Sequence, residues 1–316
     1  MRKTVRRLGR AGMLYLVVGV PSLIVGTAFN SHAGVAFLLG VVLFGSIVVQ
    51  NGARWCVGVT MLGSGAVFLA GIWARDPILL ALVVGGTAFL AGASTRWARQ
   101  TALIAVPITA AVLSSPVATS TVVGRSLGLL AGGLYGAVAL TVTRFPAPPR
   151  GDRLPAGTAM LYGALVGTVV AVGTAAVTAL DLPHGYWLTL TFLAVMQPSI
   201  VGSKRKTLQR AGGTIVGAAV ALVVASIVPA TGAEIAVGLA FVIASVMLTS
   251  DYRVYAALMT VGVVLLVEGK TPPVAAVELR VGLTVVAALI VLGLCYLVPY
   301  LVHRFDPEVT STHGHD

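Results

Sequence analysis

The sequence predicts an all-α, polytopic transmembrane bundle of about twelve helices, built as two tandem six-helix repeats with both termini cytoplasmic. Three observations carry that prediction. First, 57% of the 316 residues are hydrophobic and only 10% are charged, against about 25% charged in an ordinary soluble domain. Second, apolar stretches long enough to cross a bilayer recur along the whole chain, each needing about 20 residues. In lipid the backbone must satisfy its own hydrogen bonds, so such runs form helices. The alternating segments of about ten residues that a β-barrel needs are not visible. Third, the two halves echo each other in order. His32 and His184 lie 152 residues apart, Ser46-Ile47-Val48 recurs as Ser199-Ile200-Val201 at 153, and Gly58-x-Thr60-x-x-Gly63 recurs as Gly212-x-Thr214-x-x-Gly217 at 154. Pro116-Val117-Ala118 returns as Pro273-Val274-Ala275 at 157, Arg125 as Arg280 at 155, and Arg144-Phe145 as Arg304-Phe305 at 160. Internal duplication of a membrane unit is a common transporter plan.

The elements follow in order. The first half, residues 1–143, opens with five basic residues between positions 2 and 10 and an apolar run at 11–29. That start mimics a secretory signal peptide, but an uncleaved first helix is needed for the first half to match the second. Spans follow at 33–50, 55–73, 77–94, 101–117 and 125–143. Residues 144–156 are rich in proline, carry Arg144, Arg150 and Arg153, and read as a cytoplasmic linker. The second half, 157–305, has spans at 157–180, 183–201, 209–229, 233–250, 254–268 and 279–302. The tail 306–316 reads as disordered, with His313 and His315 only a weak metal motif.

The net charge of +11 is a topology signal. With the N-terminus inside and sides alternating through the spans, 17 Lys and Arg fall on the cytoplasmic side and 4 outside, as the positive-inside rule expects. Nucleic acid needs no invoking, and the partner is the lipid bilayer of the cytoplasmic (inner) membrane. Cys56 and Cys295 fall inside spans and read as small buried hydrophobes. No connection is long enough for a soluble catalytic domain, and no acid, base, nucleophile or metal ligands cluster at one depth, so no enzyme, metal or cofactor is implied.

The most specific stretch runs from His184 to Gly217. It reads His184-Gly185-Tyr186-Trp187, an apolar span ending in Gln197-Pro198, a basic loop, then Arg210-Ala211-Gly212-Gly213-Thr214-Ile215-Val216-Gly217. This resembles the membrane core of the fusaric-acid-resistance-like (aromatic acid exporter) family at Tyr186, Trp187, Pro198, Arg210, Gly213, Thr214 and Gly217. In the first half only Gly58, Thr60 and Gly63 echo it. The resemblance implies an exporter of aromatic carboxylate-like anions. Read physically, Tyr186 and Trp187 suit the outer headgroup layer, and Pro198 suits a helix end. Gly213 and Gly217 suit close helix packing, with Thr214 able to hydrogen-bond across the contact.

Three arginines form the expected substrate path. Arg210 either anchors the cytoplasmic end by snorkelling to headgroups or presents its planar donor fork to anions. Arg125 and Arg280 defy the positive-inside trend at matching positions, each after a short span and a Pro-Val-Ala break. Paired interrupted spans point to a transport site, so both arginines are expected to flank a path between the repeats. Interfacial snorkelling or pairing with Glu278 is the alternative. No Asp or Glu lies mid-span, so proton coupling through an intramembrane carboxylate is not indicated. The expected function is therefore a transporter or channel for organic anions. The alternatives are a non-transporting membrane scaffold and a twelve-helix carrier of another family. The halves can complete a pathway within a monomer, with a homodimer as the other arrangement.

Overall fold

A computed structural model describes residues 15–29, 31–97, 103–142, 153–228, 232–248, 251–267 and 273–305. The basic start at 2–10, most of the 144–156 linker, Glu268, Lys270 and the 306–316 tail lie outside the described residues. The described chain is helical. A π-helical turn, Tyr15–Gly19, leads into α1 (Val20–Ala28). Helix α2 (Ser31–Leu39) continues through a π-helical turn, Gly40–Phe44, into α3 (Gly45–Asn51). Gly52, at φ +85°, makes the corner to α4 (Ala53–Ile72), a backbone conformation that a side chain disfavours. Asp76 caps α5 (Pro77–Ala93), accepting from the amides of Ile78 and Leu79 with Pro77 in the first turn.

Helices α6 (Ala105–Val112) and α7 (Thr119–Val142) complete the first half. The second half runs α8 (Ala156–Ala179), α9 (Tyr186–Val195), α10 (Ile200–Ile227), α11 (Gly232–Leu248), α12 (Tyr252–Val267) and α13 (Pro273–Phe305). Every predicted span has a helical counterpart, but their lengths differ. Among the described residues, six segments are long and apolar enough to cross a membrane: Ala53–Ile72, Pro77–Trp97, Thr119–Val142, Ala156–Ala179, Ile200–Ile227 and Val274–Leu297. Helix α9, with 10 residues, is about 15 Å long and spans only half of a hydrocarbon core of about 30 Å.

Three boundaries correct the sequence reading. Helix α10 begins at Ile200, so Lys204, Arg205, Lys206 and Arg210 lie on a helix and not in a basic loop. The cause is Ser199, whose hydroxyl accepts from the Gly202 amide and caps the helix right after Pro198. Helices α7 and α13 begin at Thr119 and Pro273, so Arg125 and Arg280 sit inside them and not at their starts.

Small residues set the packing, because lipid supplies no hydrophobic drive between helices. A Cβ on Gly128 or Gly136 would stand 2.7 Å from the Ala33 carbonyl oxygen or 2.8 Å from the Val41 Cα. With Gly132 against Phe37, these let α7 lie directly on α2 and the π turn that follows it. The seam between α5 and α8 is also closed backbone to backbone, with a Cβ on Gly92 meeting the Gly163 Cα at 2.6 Å and one on Gly85 meeting the Gly167 carbonyl at 2.9 Å. On α10 only 33% of the apolar window is buried, leaving Ile215, Val216, Val223 and Ile227 exposed to face lipid.

Candidate anion site of the second half

Short α9 is where the second-half residues converge. It ends because Pro198 disfavours helix at Gln197, and Met196 is already extended (ψ 122°). The freed backbone is satisfied inside protein. The Met196 carbonyl accepts from the Tyr162 hydroxyl at 3.1 Å, and the Gln197 amide donates to Ser203 Oγ at 2.9 Å. A broken helix at this depth is tolerated only when so enclosed. Helix α9 packs on α8, α6, α10 and α13.

Trp187, at the start of α9, is completely buried. This overturns its expected place in the headgroup layer. His184, held at φ +54° in the preceding turn, stacks on it at 5.0 Å between ring centroids, and Tyr186 meets it edge-on at 5.8 Å. The Arg280 guanidinium of α13 lies over the Trp187 ring, 5.1 Å from its centroid, in cation–π geometry. Arg280 is 1% exposed. Snorkelling and pairing with Glu278 are thereby excluded, since Glu278 is exposed two residues away.

Arg210 is also buried, at 5% exposure, and so does not reach headgroups. It is hydrogen-bonded to the Tyr252 hydroxyl. Tyr252 stacks on Tyr255 at 5.7 Å and reaches the Ala194 carbonyl near the end of α9 at 3.4 Å. Arg210, Tyr186, Tyr252 and Tyr255 lie within electrostatic reach of Arg280. Among the described residues, Arg280 Nε and Nη1, Arg210 Nε, Trp187 Nε1 and Thr214 Oγ1 are buried without a hydrogen-bond partner. Thr214, one turn beyond Arg210, does not bond across the helix contact as its motif position suggested. The result is a set of donors, two of them cationic, with little to accept from them.

Arg125 differs. It is equally buried, at 2%, but its Nη1 donates to the carbonyls of Leu113 (2.8 Å) and Ser115 (2.9 Å). Its Nη2 donates to Ser115 Oγ at 2.8 Å and meets His32 Nδ1 at 3.2 Å. All these partners belong to the first half, and they knit the non-helical stretch after α6 to α7. Only its Nε is left over. Arg125 is therefore not brought to the Arg210–Arg280 cluster.

The motif glycines divide in the same way. A Cβ on Gly213 would meet the Arg253 carbonyl at 2.5 Å and Ala256 Cβ at 2.8 Å, and one on Gly217 would meet Thr260 Cβ at 2.9 Å, so both serve the α10–α12 contact. Gly63 packs on the Phe44 ring, but Gly58 has nothing within 4 Å and makes no helix contact. Thr60 is buried and bonds back to the Cys56 carbonyl at 2.7 Å. Sequence reasoning missed Tyr252, Tyr255 and the role of His184. A cue existed in Tyr252-x-x-Tyr255, which places two rings on one helical face.

Residues 170–294 match the family described as fusaric acid resistance protein-like, a membrane transporter family. The chain is also 38% identical over 87 residues to "Uncharacterized protein ORF2" of Neisseria gonorrhoeae, a match covering 28% of this chain and 20% of that protein. It thus spans about a fifth of that relative's length. No solved structure matches. The stretch that matches holds Tyr186, Trp187, Arg210, Tyr252 and Arg280, and across it this multi-pass membrane protein is similar to the fusaric acid resistance protein-like family.

Proposed function

We propose that this protein transports organic anions across the cytoplasmic membrane along a path beside α9 that passes Arg280 and Arg210. The observation that carries the reading is Arg280, buried to 1% exposure with Nε and Nη1 unpartnered. A guanidinium keeps its charge at any working pH, and burying that charge in a membrane is costly and usually functional. The planar donor fork fits a carboxylate, while the rings of Trp187, Tyr252 and Tyr255 suit an aromatic body. That substrate class comes from the family and from these rings.

The path belongs to the second half, because the seam between the halves at α5 and α8 is occupied by backbone contact. The tandem plan with cytoplasmic termini is part of the same proposal. It is supported by recurring packing partners: α4 lies on α6 and α7 as α10 lies on α12 and α13, and α3 on α4 as α9 on α10. The boundaries at 1–143, 144–156 and 157–305 follow from that plan.

The test is efflux of benzoate from proteoliposomes. Arg280→Gln and Arg210→Gln are expected to cut flux by about tenfold or more, the worth of one charge-assisted hydrogen bond. Unchanged flux in both folded variants would remove the arginines from the path, and absent flux in folded wild type would favour a scaffold.

A further inference from the structure

We infer that the Arg210–Arg280 cluster holds a resident small inorganic anion of the halide class whenever no organic substrate is bound, so that transport begins by displacing it. This deepens the function proposed above and rests on the same site. Two guanidiniums are buried, at 5% and 1% exposure, within electrostatic reach of each other, and each keeps a donor without a partner. A buried like-charge pair without compensation is among the costliest arrangements a protein can hold. Guanidinium cannot shed its proton to escape that cost.

Hydrogen bonding leads to the same place. Arg280 Nε and Nη1, Arg210 Nε, Trp187 Nε1 and Thr214 Oγ1 are buried donors without partners among the described residues. Buried polar groups are otherwise almost always satisfied. All but Thr214 can only donate, so what completes them must be an acceptor, and the charges require it to be an anion. The first half provides an internal control. There Arg125 spends its donors on Leu113 and Ser115, and Thr60 bonds back to Cys56. The residue in register with Arg210 at the 154-residue offset is Cys56, a neutral side chain whose thiol donates to the Phe44 carbonyl at 3.3 Å. Among the described residues the first half thus has a single buried arginine with one donor left over, Arg125 Nε, and no second guanidinium beside it. One anion per chain is expected, and it sits in the second half.

The probe is chloride, added to purified protein in detergent, with gluconate holding ionic strength constant. A ligand that binds only the folded state raises Tm with the logarithm of its concentration above Kd. Wild type is expected to show that rise and to broaden the 35Cl resonance of the buffer. Benzoate in excess should remove the broadening. Arg280→Gln and Arg210→Gln should weaken chloride binding by about tenfold or more, and Arg125→Lys should keep it. Should either Gln variant not fold, Thr214→Val and Arg280→Lys supply the comparison, with reduced affinity expected in both. Folded wild type without chloride-dependent broadening or Tm shift would overturn the proposal, as would broadening that survives undiminished in the arginine variants. Benzoate flux without a chloride site would overturn the resident anion and leave the transport reading standing. Chloride binding that benzoate fails to displace would do the reverse.

Discussion

Arg125 and Arg280 carry the same charge at matching sequence positions, yet their surroundings assign them different work. Arg125 Nη1 and Nη2 are engaged by Leu113, Ser115 and His32. Arg125→Gln therefore leaves the Leu113 and Ser115 carbonyls short of a donor, at about 1–3 kcal/mol. Folded yield and melting temperature in detergent should fall, while benzoate flux per folded molecule stays at the wild-type level. Trp187 carries both packing and a face for Arg280. Trp187→Ala should cost about 3–5 kcal/mol through the cavity it opens. Its flux should fall as well, because Arg280 loses the ring that orients it. Trp187→Phe keeps a ring for the cation, and should recover flux more fully than stability.

At the scale of elements, α10 and α12 meet through absent side chains. A methyl on Gly213 would press on the Arg253 carbonyl and Ala256, whereas Gly212, next to it, has open space. Gly213→Ala should therefore destabilise by about 1–3 kcal/mol through overpacking. Gly212→Ala should be neutral or gain up to about 1 kcal/mol in helix propensity. Melting of the two variants side by side in one detergent checks the pair, and equal behaviour would show that the contact does not depend on Gly213. Helix α9 teaches the complementary lesson. Its length of 10 residues follows from Gln197-Pro198, and the backbone groups freed at its buried end are met by Tyr162, Ser203 and Tyr252.

For the whole molecule, the proposed threading, read from the charge bias, puts the start of α10 on the cytoplasmic side and the α4–α5 corner on the other. Arg205 and Arg75 are both exposed, and Cys56 and Cys295 are both buried. A cysteine at Arg205 should then react with an impermeant maleimide only from the cytoplasmic face, and a cysteine at Arg75 only from the opposite face. Labelling of both from one face would refute the proposed threading. Under the transport proposed above, the same threading would have an anion that leaves the cytoplasm meet Arg210 before Arg280.

How much of this was legible beforehand varies with the kind of interaction. Helical class, multi-pass insertion and the family resemblance of residues 170–294 all followed from local composition, apolar run length and the short Tyr186–Gly217 motif, since lipid leaves the backbone almost no other choice. The sequence alone also marked Arg125, Arg210 and Arg280 as unusual, because a charge that defies its surroundings is visible without a fold. How many donors each of the three leaves unpaired was not visible. That depends on contacts between residues far apart in the chain: Arg280 over Trp187 across 93 positions, and Tyr252 against Ala194 across 58. The tertiary structure alone decided that Trp187 is core and not an interfacial belt residue, and that Arg125 staples a broken stretch. It also buried both Arg210 and Arg280 in one half, because burial and hydrogen-bond partners are properties of packing and have no period in the sequence.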